Sequence, residues 1–139
     1  MCILFVAVNQ HKDYPLIIAA NRDEFYSRPT AESRFWQDTP SILGGKDLEA
    51  GGTWMGINTQ GFIASLTNVR APHTLNTQAV TRGKLVSNFL RHSPNTNDYH
   101  HQLQATKSQY NGYNLLFGPW DKLVVYNNHT DQIQSLDSG

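Results

Sequence analysis

Cysteine is almost missing from this sequence: Cys2 is the only one in 139 residues, so no internal disulfide can form. Net charge is missing too. Lys and Arg together number 11, as do Asp and Glu, and such a balance exerts no bulk pull on nucleic acid or on an anionic membrane. No apolar run is long enough to span a bilayer, so no transmembrane segment is expected. The N-terminus also lacks a charged stretch followed by an apolar one, since "MCILFVAVNQHKDYP" turns polar after Val8. These absences predict a cytoplasmic protein that binds no nucleic acid, in which the sequon at Asn128 is chemically idle. Repeats, low-complexity tracts and linkers are absent as well. The length suits a single domain over 1–139 with a core of its own.

What is present reads mostly as strand. Cys2 to Val8 is a continuous apolar run rich in β-branched and aromatic types, the pattern of a strand covered on both faces. After the turn "NQHKDYP", Leu16 to Asn21 forms a second strand, most simply its antiparallel partner. "RDEFYSRPTAESRF" then sets charged residues directly behind a buried strand, where a rigid scaffold can hold them. Trp36 to Gly52 reads as loop. "TWMGIN" and "FIASLTN" read as two strands around the turn "NTQG". Thr81 to His92 predicts a helix, with Leu85, Val86, Phe89 and Leu90 on one face, Thr81 as its cap and Pro94 at its end. A sparser stripe, Tyr99 and Leu103, predicts a second helix in "NTNDYHHQLQATKSQ". "YNLLFG" and "KLVVYN" form a hairpin around "PWD", and "QIQSL" starts another strand. Strands, then helices, then strands make an α+β domain. The chain stops at "LDSG" without a closing element, so a C-terminal portion of the domain is expected to be missing.

Cys2 carries the sharpest chemical suggestion. Methionine is removed efficiently before a small side chain, which would leave one residue bearing both a thiol and an α-amine of pKa roughly 7.7–8.0. That is a nucleophile with its own base. The bland alternative, a small apolar residue starting a strand, is favoured by position alone. If the first two strands pair, "NRDEF" brings Asn21, Arg22 and Asp23 beside Cys2, the arginine to favour thiolate and the carboxylate to orient an ammonium. The bland alternative there is a structural Arg–Asp pair. Asn68, ending an apolar strand, can donate to a developing oxyanion or simply turn the chain. "GGKDLEAGG" lacks the Lys-Ser/Thr ending of a P-loop, so turn geometry accounts for its glycines. The six histidines show no i, i+4 pair, and no metal site is expected. Trp36, Trp54 and Trp120 read as core or rim, though such aromatics can also line a haem or acyl-chain site.

In order along the chain, "MC", "AANRDEF", "RP", "GGKDLEAGGTWMGIN", "GFIASLTNVR", "TRGKL" and "YNGYNLLFG" resemble the NRDE protein family, also called the transport and Golgi organisation 2 family. That family is in turn similar to N-terminal-nucleophile hydrolases of the choloylglycine type, which implies a four-layer α-β-β-α sandwich. It also implies Cys2 as nucleophile of a cysteine amidohydrolase acting on linear, non-peptide amides, with Asp23 and Asn68 as its catalytic partners. The hydrolases write their second motif Arg-Asn-x-Asp, whereas here it reads Asn21-Arg22-Asp23, so Asp23 carries over more directly than Arg22. The family's "GLSN"-like segment and the hydrolases' later Asn and Arg have no counterpart in this chain.

Two functions follow. In the first, Cys2 attacks a small or acyl-bearing amide, Asn68 holds the oxyanion, Asp23 fixes the amine, and Arg22 and Asn21 contact substrate; no cofactor is required. In the second, matching the family's links to haem trafficking and to lipid or acyl-CoA homeostasis, the same fold carries haem or an acyl chain without turnover. A thiolate such as Cys2 can ligate haem. A membrane-traffic adaptor with no small-molecule site is the third and plainest option.

Overall fold

The computed structural model describes residues 2–139. Strands β1 (Ile3–Val8) and β2 (Leu16–Asn21) pair antiparallel as a two-stranded sheet, with Ile3 opposite Asn21 and Val8 opposite Leu16. A second, seven-stranded antiparallel sheet runs in sequence order through β3 (Thr30–Phe35), β4 (Ile42–Asp47), β5 (Met55–Asn58), β6 (Phe62–Asn68), β7 (Tyr113–Pro119), β8 (Val124–Asn127) and β9 (Gln132–Ser135). Helices α1 (Gly83–His92) and α2 (Thr96–Thr106) lie between β6 and β7. The result is a mixed α/β structure, mostly sheet, with two α-helices, and among the described residues no helix is long and apolar enough to cross a membrane.

Strand alternation divides the large sheet into two faces. Ala64, Leu115 and Phe117 point to the helices and join Leu85, Val86, Phe89, Leu90, Tyr99 and Leu103 in one core. Ile63, Leu116 and Val125 point the other way and meet Leu4, Val6, Leu16 and Ile18 of the β1–β2 hairpin. The opposite side of the hairpin carries Ile3, Phe5 and Ile17, all exposed. The expectation of a first strand covered on both faces is therefore corrected: among the described residues the hairpin is covered on one face only. Its far end is tied down by reciprocal backbone bonds between Val8 and Gly139, at 2.9 and 3.0 Å.

The expected loop from Trp36 to Gly52 instead contains β4, and β3 precedes it. β4 hides behind two glycines, Gly44 and Gly45, that weaken its strand signature. Gly45 is needed because a Cβ there would lie 2.4 Å from the ring of Trp54. β3 is an edge strand with a register shift between Ala31 and Arg34, and its exposed polar residues show no apolar alternation. Thr81 is not the cap of α1. The helix starts one residue later, with Arg82 at the N-cap and no side-chain capping bond, and it ends at Ser93 in the left-handed region, whose N–H bonds the Phe89 carbonyl at 2.8 Å. For α2 the cap is Asn95, which accepts from the Asn97 N–H at 2.9 Å.

Candidate functional site

The hairpin register does the first part of the assembly. With Ile3 opposite Asn21, the residue before β1 and the residues after β2 emerge at the same end. The Asn21 carboxamide oxygen accepts the Ile3 N–H at 2.9 Å, closing that end of the ladder. The Asp23 N–H then points at the Cys2 sulfur, 3.5 Å away. Met1, whose removal would free the α-amine, lies outside the described residues.

Cys2 is half-buried and stands between two hollows. On one side is a polar cavity of about 340 Å³ bordered by Arg22, Asp23, Asn68, Thr53 and Arg82. On the other, between hairpin and large sheet, is an apolar cleft of about 390 Å³ lined by Leu4, Val6, Leu116, Val125 and Leu136. The second hollow follows from alternation, since even-numbered residues of β1 face the large sheet. Cys2 borders both.

Asp47, at the end of β4, organises the charged wall. Its Oδ2 receives both Nη2 and Nε of Arg28, at 2.7 and 2.8 Å, and lies 3.7 Å from Nη2 of Arg22. Its Oδ1 accepts the N–H groups of Glu49 and Ala50 at 3.0 and 3.2 Å. Burial pushes this carboxyl up, but the Arg28 hydrogen bond, the two backbone donors and the Arg28 charge outweigh it and leave it below the ordinary aspartate value. The same hydrogen bond, opposed by burial, raises Arg28.

Of the residues singled out in the sequence, Cys2, Arg22, Asp23 and Asn68 border one cavity. Asn21 does not border it; its side chain is engaged by Ile3 instead. Arg22 is held on three sides, with Nη1 donating to Thr30 Oγ1 at 2.9 Å, Asp47 alongside, and its guanidinium 4.6 Å above the Trp54 ring. Asp23 lies 3.7 Å from the Arg70 guanidinium. Asn68 is exposed at the end of β6, and among the described residues no hydrogen bond occupies its side-chain amide, which leaves two N–H donors for a ligand. No cluster of three or more His, Cys, Asp or Glu suited to a metal occurs among the described residues.

Arg82 was not anticipated as a site residue. It borders the cavity from the head of α1, and Nη1 donates to the Gly112 carbonyl at 2.8 Å. The head of α1 is seated by a close approach: a Cβ on Gly52 would lie 2.5 Å from the Gly83 carbonyl carbon. Burial lowers the Arg82 guanidinium from its ordinary value, while Cys2 and Glu24 act electrostatically to raise it.

The chain as a whole is similar to known proteins. The profile of the Transport and Golgi organisation 2 family matches residues 1–139. The human Transport and Golgi organization protein 2 homolog is 43% identical over 123 residues, covering 84% of this chain and 44% of its own length. The Bos taurus homolog is 42% identical over the same shares. Transport and Golgi organization protein 2 of Drosophila melanogaster is 30% identical over 131 residues, covering 84% of this chain and 45% of its own length. The chain thus spans less than half the length of these relatives. A match along all 139 residues, including "NRDEF" and the cavity's walls, means that the chain belongs to the Transport and Golgi organisation 2 family.

Proposed function

We propose that Cys2 is the nucleophile of an amidohydrolase-type site that cleaves the C–N bond of a linear, acyl-bearing amide. The observation that carries this reading is the setting of Cys2, whose sulfur has the Asp23 N–H at 3.5 Å and which borders both a polar cavity and an apolar cleft. An acyl chain fits the cleft and a polar head fits the cavity, which puts the bond joining them at the sulfur.

With Met1 removed, the α-amine of Cys2 takes the thiol proton as sulfur bonds to the carbonyl carbon. The Asn68 amide donates to the oxyanion of the tetrahedral intermediate. Collapse breaks the C–N bond, the proton passes to the departing nitrogen, and an S-acyl thioester remains. Water then gives its proton to the same amine and attacks the thioester, releasing a carboxylic acid and restoring the thiol. Asp23 orients the ammonium, and Arg22, anchored by Asp47 and Trp54, keeps the wall in place. No cofactor enters this scheme. The fold that goes with it is the four-layer α-β-β-α sandwich. The order of helices, large sheet and hairpin is compatible with that arrangement.

The test is intact-mass and peptide mass spectrometry of the chain after N-lauroylethanolamide and after limiting iodoacetamide. The expected result is Met1 loss, release of lauric acid, and alkylation of Cys2 at least about tenfold faster than free cysteine at the same pH. Alkylation no faster than free cysteine, or retention of Met1, overturns the reading.

The apolar cleft favours one further reading, a carrier that holds an acyl chain or haem without turnover. Cys2→Ala separates the two. It abolishes lauric acid release in an enzyme, and in an acyl carrier leaves saturable binding of lauroyl-CoA unchanged. The relatives' names refer to transport and Golgi organisation, which an acyl hydrolase or an acyl carrier without a membrane-crossing helix can serve through lipid chemistry.

A further inference from the structure

Three arginines border the polar cavity, and two of them are committed. Arg28 grips Asp47 at 2.7 and 2.8 Å, and Arg22 is shared among Thr30, Asp47 and Trp54. Arg82 differs. Among the described residues no carboxylate comes within ion-pair distance of it, and the one bond its side chain makes is to the neutral Gly112 carbonyl at 2.8 Å. A guanidinium carries five N–H donors in a planar fork. One donor anchors it to Gly112; Cys2 and Glu24 act on it only electrostatically, without a direct bond, and the remaining donors are available in a half-buried setting.

Helix stability does not explain this residue. It occupies the N-cap of α1 with no acidic residue in the first turn, and the helix dipole disfavours a cation at that end. The wall around it is firmly built. Asn111 bonds both the N–H and the carbonyl of Asn76, at 2.8 and 2.9 Å, and the Val80 N–H bonds the Gln109 carbonyl at 3.0 Å. A guanidinium held by fixed loops beside a cavity is preorganised for a ligand.

We propose that Arg82 is the specificity residue of the Cys2 site and binds a carboxylate on the polar end of the substrate. The proposal rests on the Cys2 reading for its chemistry but concerns a different choice, namely which ligands the cavity admits. A planar carboxylate matches the guanidinium fork. With Arg82 on the polar side of the sulfur and the apolar cleft on the other, the favoured substrate is an acyl compound whose head group carries that carboxylate.

The test compares alkylation of Cys2 by iodoacetate and by iodoacetamide, which share a reacting carbon and differ in charge. The ratio of the two rates, set against the same ratio for free cysteine, reads anion selection independently of absolute reactivity. The expected result is a ratio raised about tenfold in the native chain, reduced to the free-cysteine value in Arg82→Gln and substantially restored in Arg82→Lys. A native ratio equal to that of free cysteine overturns the proposal. So does an Arg82→Gln chain that slows both reagents alike and keeps the raised ratio, which is the mark of a merely structural residue. A raised, Arg82-dependent ratio at rates no faster than free cysteine supports the carboxylate site while removing the activated nucleophile. A measurement without variants covers a chain that fails to fold when substituted: butyrate protects Cys2 from iodoacetate, and its neutral counterpart butyramide does not. Equal protection by both overturns the proposal.

Discussion

The two faces of the seven-stranded sheet are covered in different ways. The helix face is sealed by aromatics. Phe89 is fully buried and meets Phe62, Tyr99 and Phe117, with ring centroids 5.0 to 5.9 Å apart. The hairpin face is aliphatic and thin, with Ile63, Leu116 and Leu123 as its buried residues and only partly buried hairpin side chains against them. The first face keeps a hollow of about 340 Å³, but it lies at the two helices, lined by Leu85, His92, Tyr99 and Leu103, and Cys2 does not border it. The second leaves a cleft that Cys2 helps to line. Close packing and a usable site are competing demands on the same sheet. Here the aromatic packing lies on one side of the sheet and the cleft bordered by Cys2 on the other.

The largest expected effect comes from breaking the sealed side. Phe89→Ala removes a side chain with no exposure and three aromatic neighbours, which predicts a loss of about 3–5 kcal/mol in urea-induced unfolding. A loss under about 1 kcal/mol would mean that the helix layer is not the main support of the sheet, and the contrast between the faces would fail.

Asp47→Asn acts on the site's rim and is expected to be smaller, about 1–3 kcal/mol at pH 7, because it strips Arg28 of a charged partner. Its pH dependence has a definite sign. The native carboxyl sits below its unfolded value of about 3.9. The stability it contributes is therefore fully present above that value and is lost as pH falls through the lower native one. The gap between Asp47→Asn and the unmodified chain should accordingly narrow as pH falls below the unfolded value of about 3.9 and close as it passes through the lower native one. Chemical denaturation at a series of pH values measures it, and a gap that stays constant down to pH 2 would remove Asp47 as the organiser of the wall.

Legibility in the sequence followed the same division. Elements that bury a strong apolar pattern were readable: the β1–β2 pair, the turn between β5 and β6, and the helices with their Leu85–Leu90 and Tyr99–Leu103 faces. Reading the first two strands as antiparallel was enough to bring Asp23 to Cys2, because register alone fixes that neighbourhood. β3 and β4 were not readable. The exposed edge "TAESRF" alternates nothing, and the two glycines in β4 make room for its neighbours, a tertiary cause with no local signature. Arg82 escaped for a related reason, since "TRGKL" reads as an ordinary helix start. One signal was there to find: two cations, Arg82 and Lys84, at the helix end that disfavours them.

The smallest expected effect lies on the outer side of the hairpin and decides what kind of surface it is. Phe5 matches Phe89 in chemistry but is 68% exposed. Phe5→Lys should therefore change unfolding stability by no more than about 0.5 kcal/mol. Leu4 is its neighbour on the inward side and packs against the Ile63–Leu116–Leu123 cluster, so Leu4→Lys should unfold the hairpin. A large loss for Phe5→Lys would mean that this apolar side is covered in solution. Dilution then identifies the cover: if a second copy provides it, the loss shrinks as protein concentration falls, because mass action removes the covered form from the unmodified chain as well. A loss that is large and independent of concentration leaves no such account, and the contrast between a sealed face and an open one would have to be abandoned.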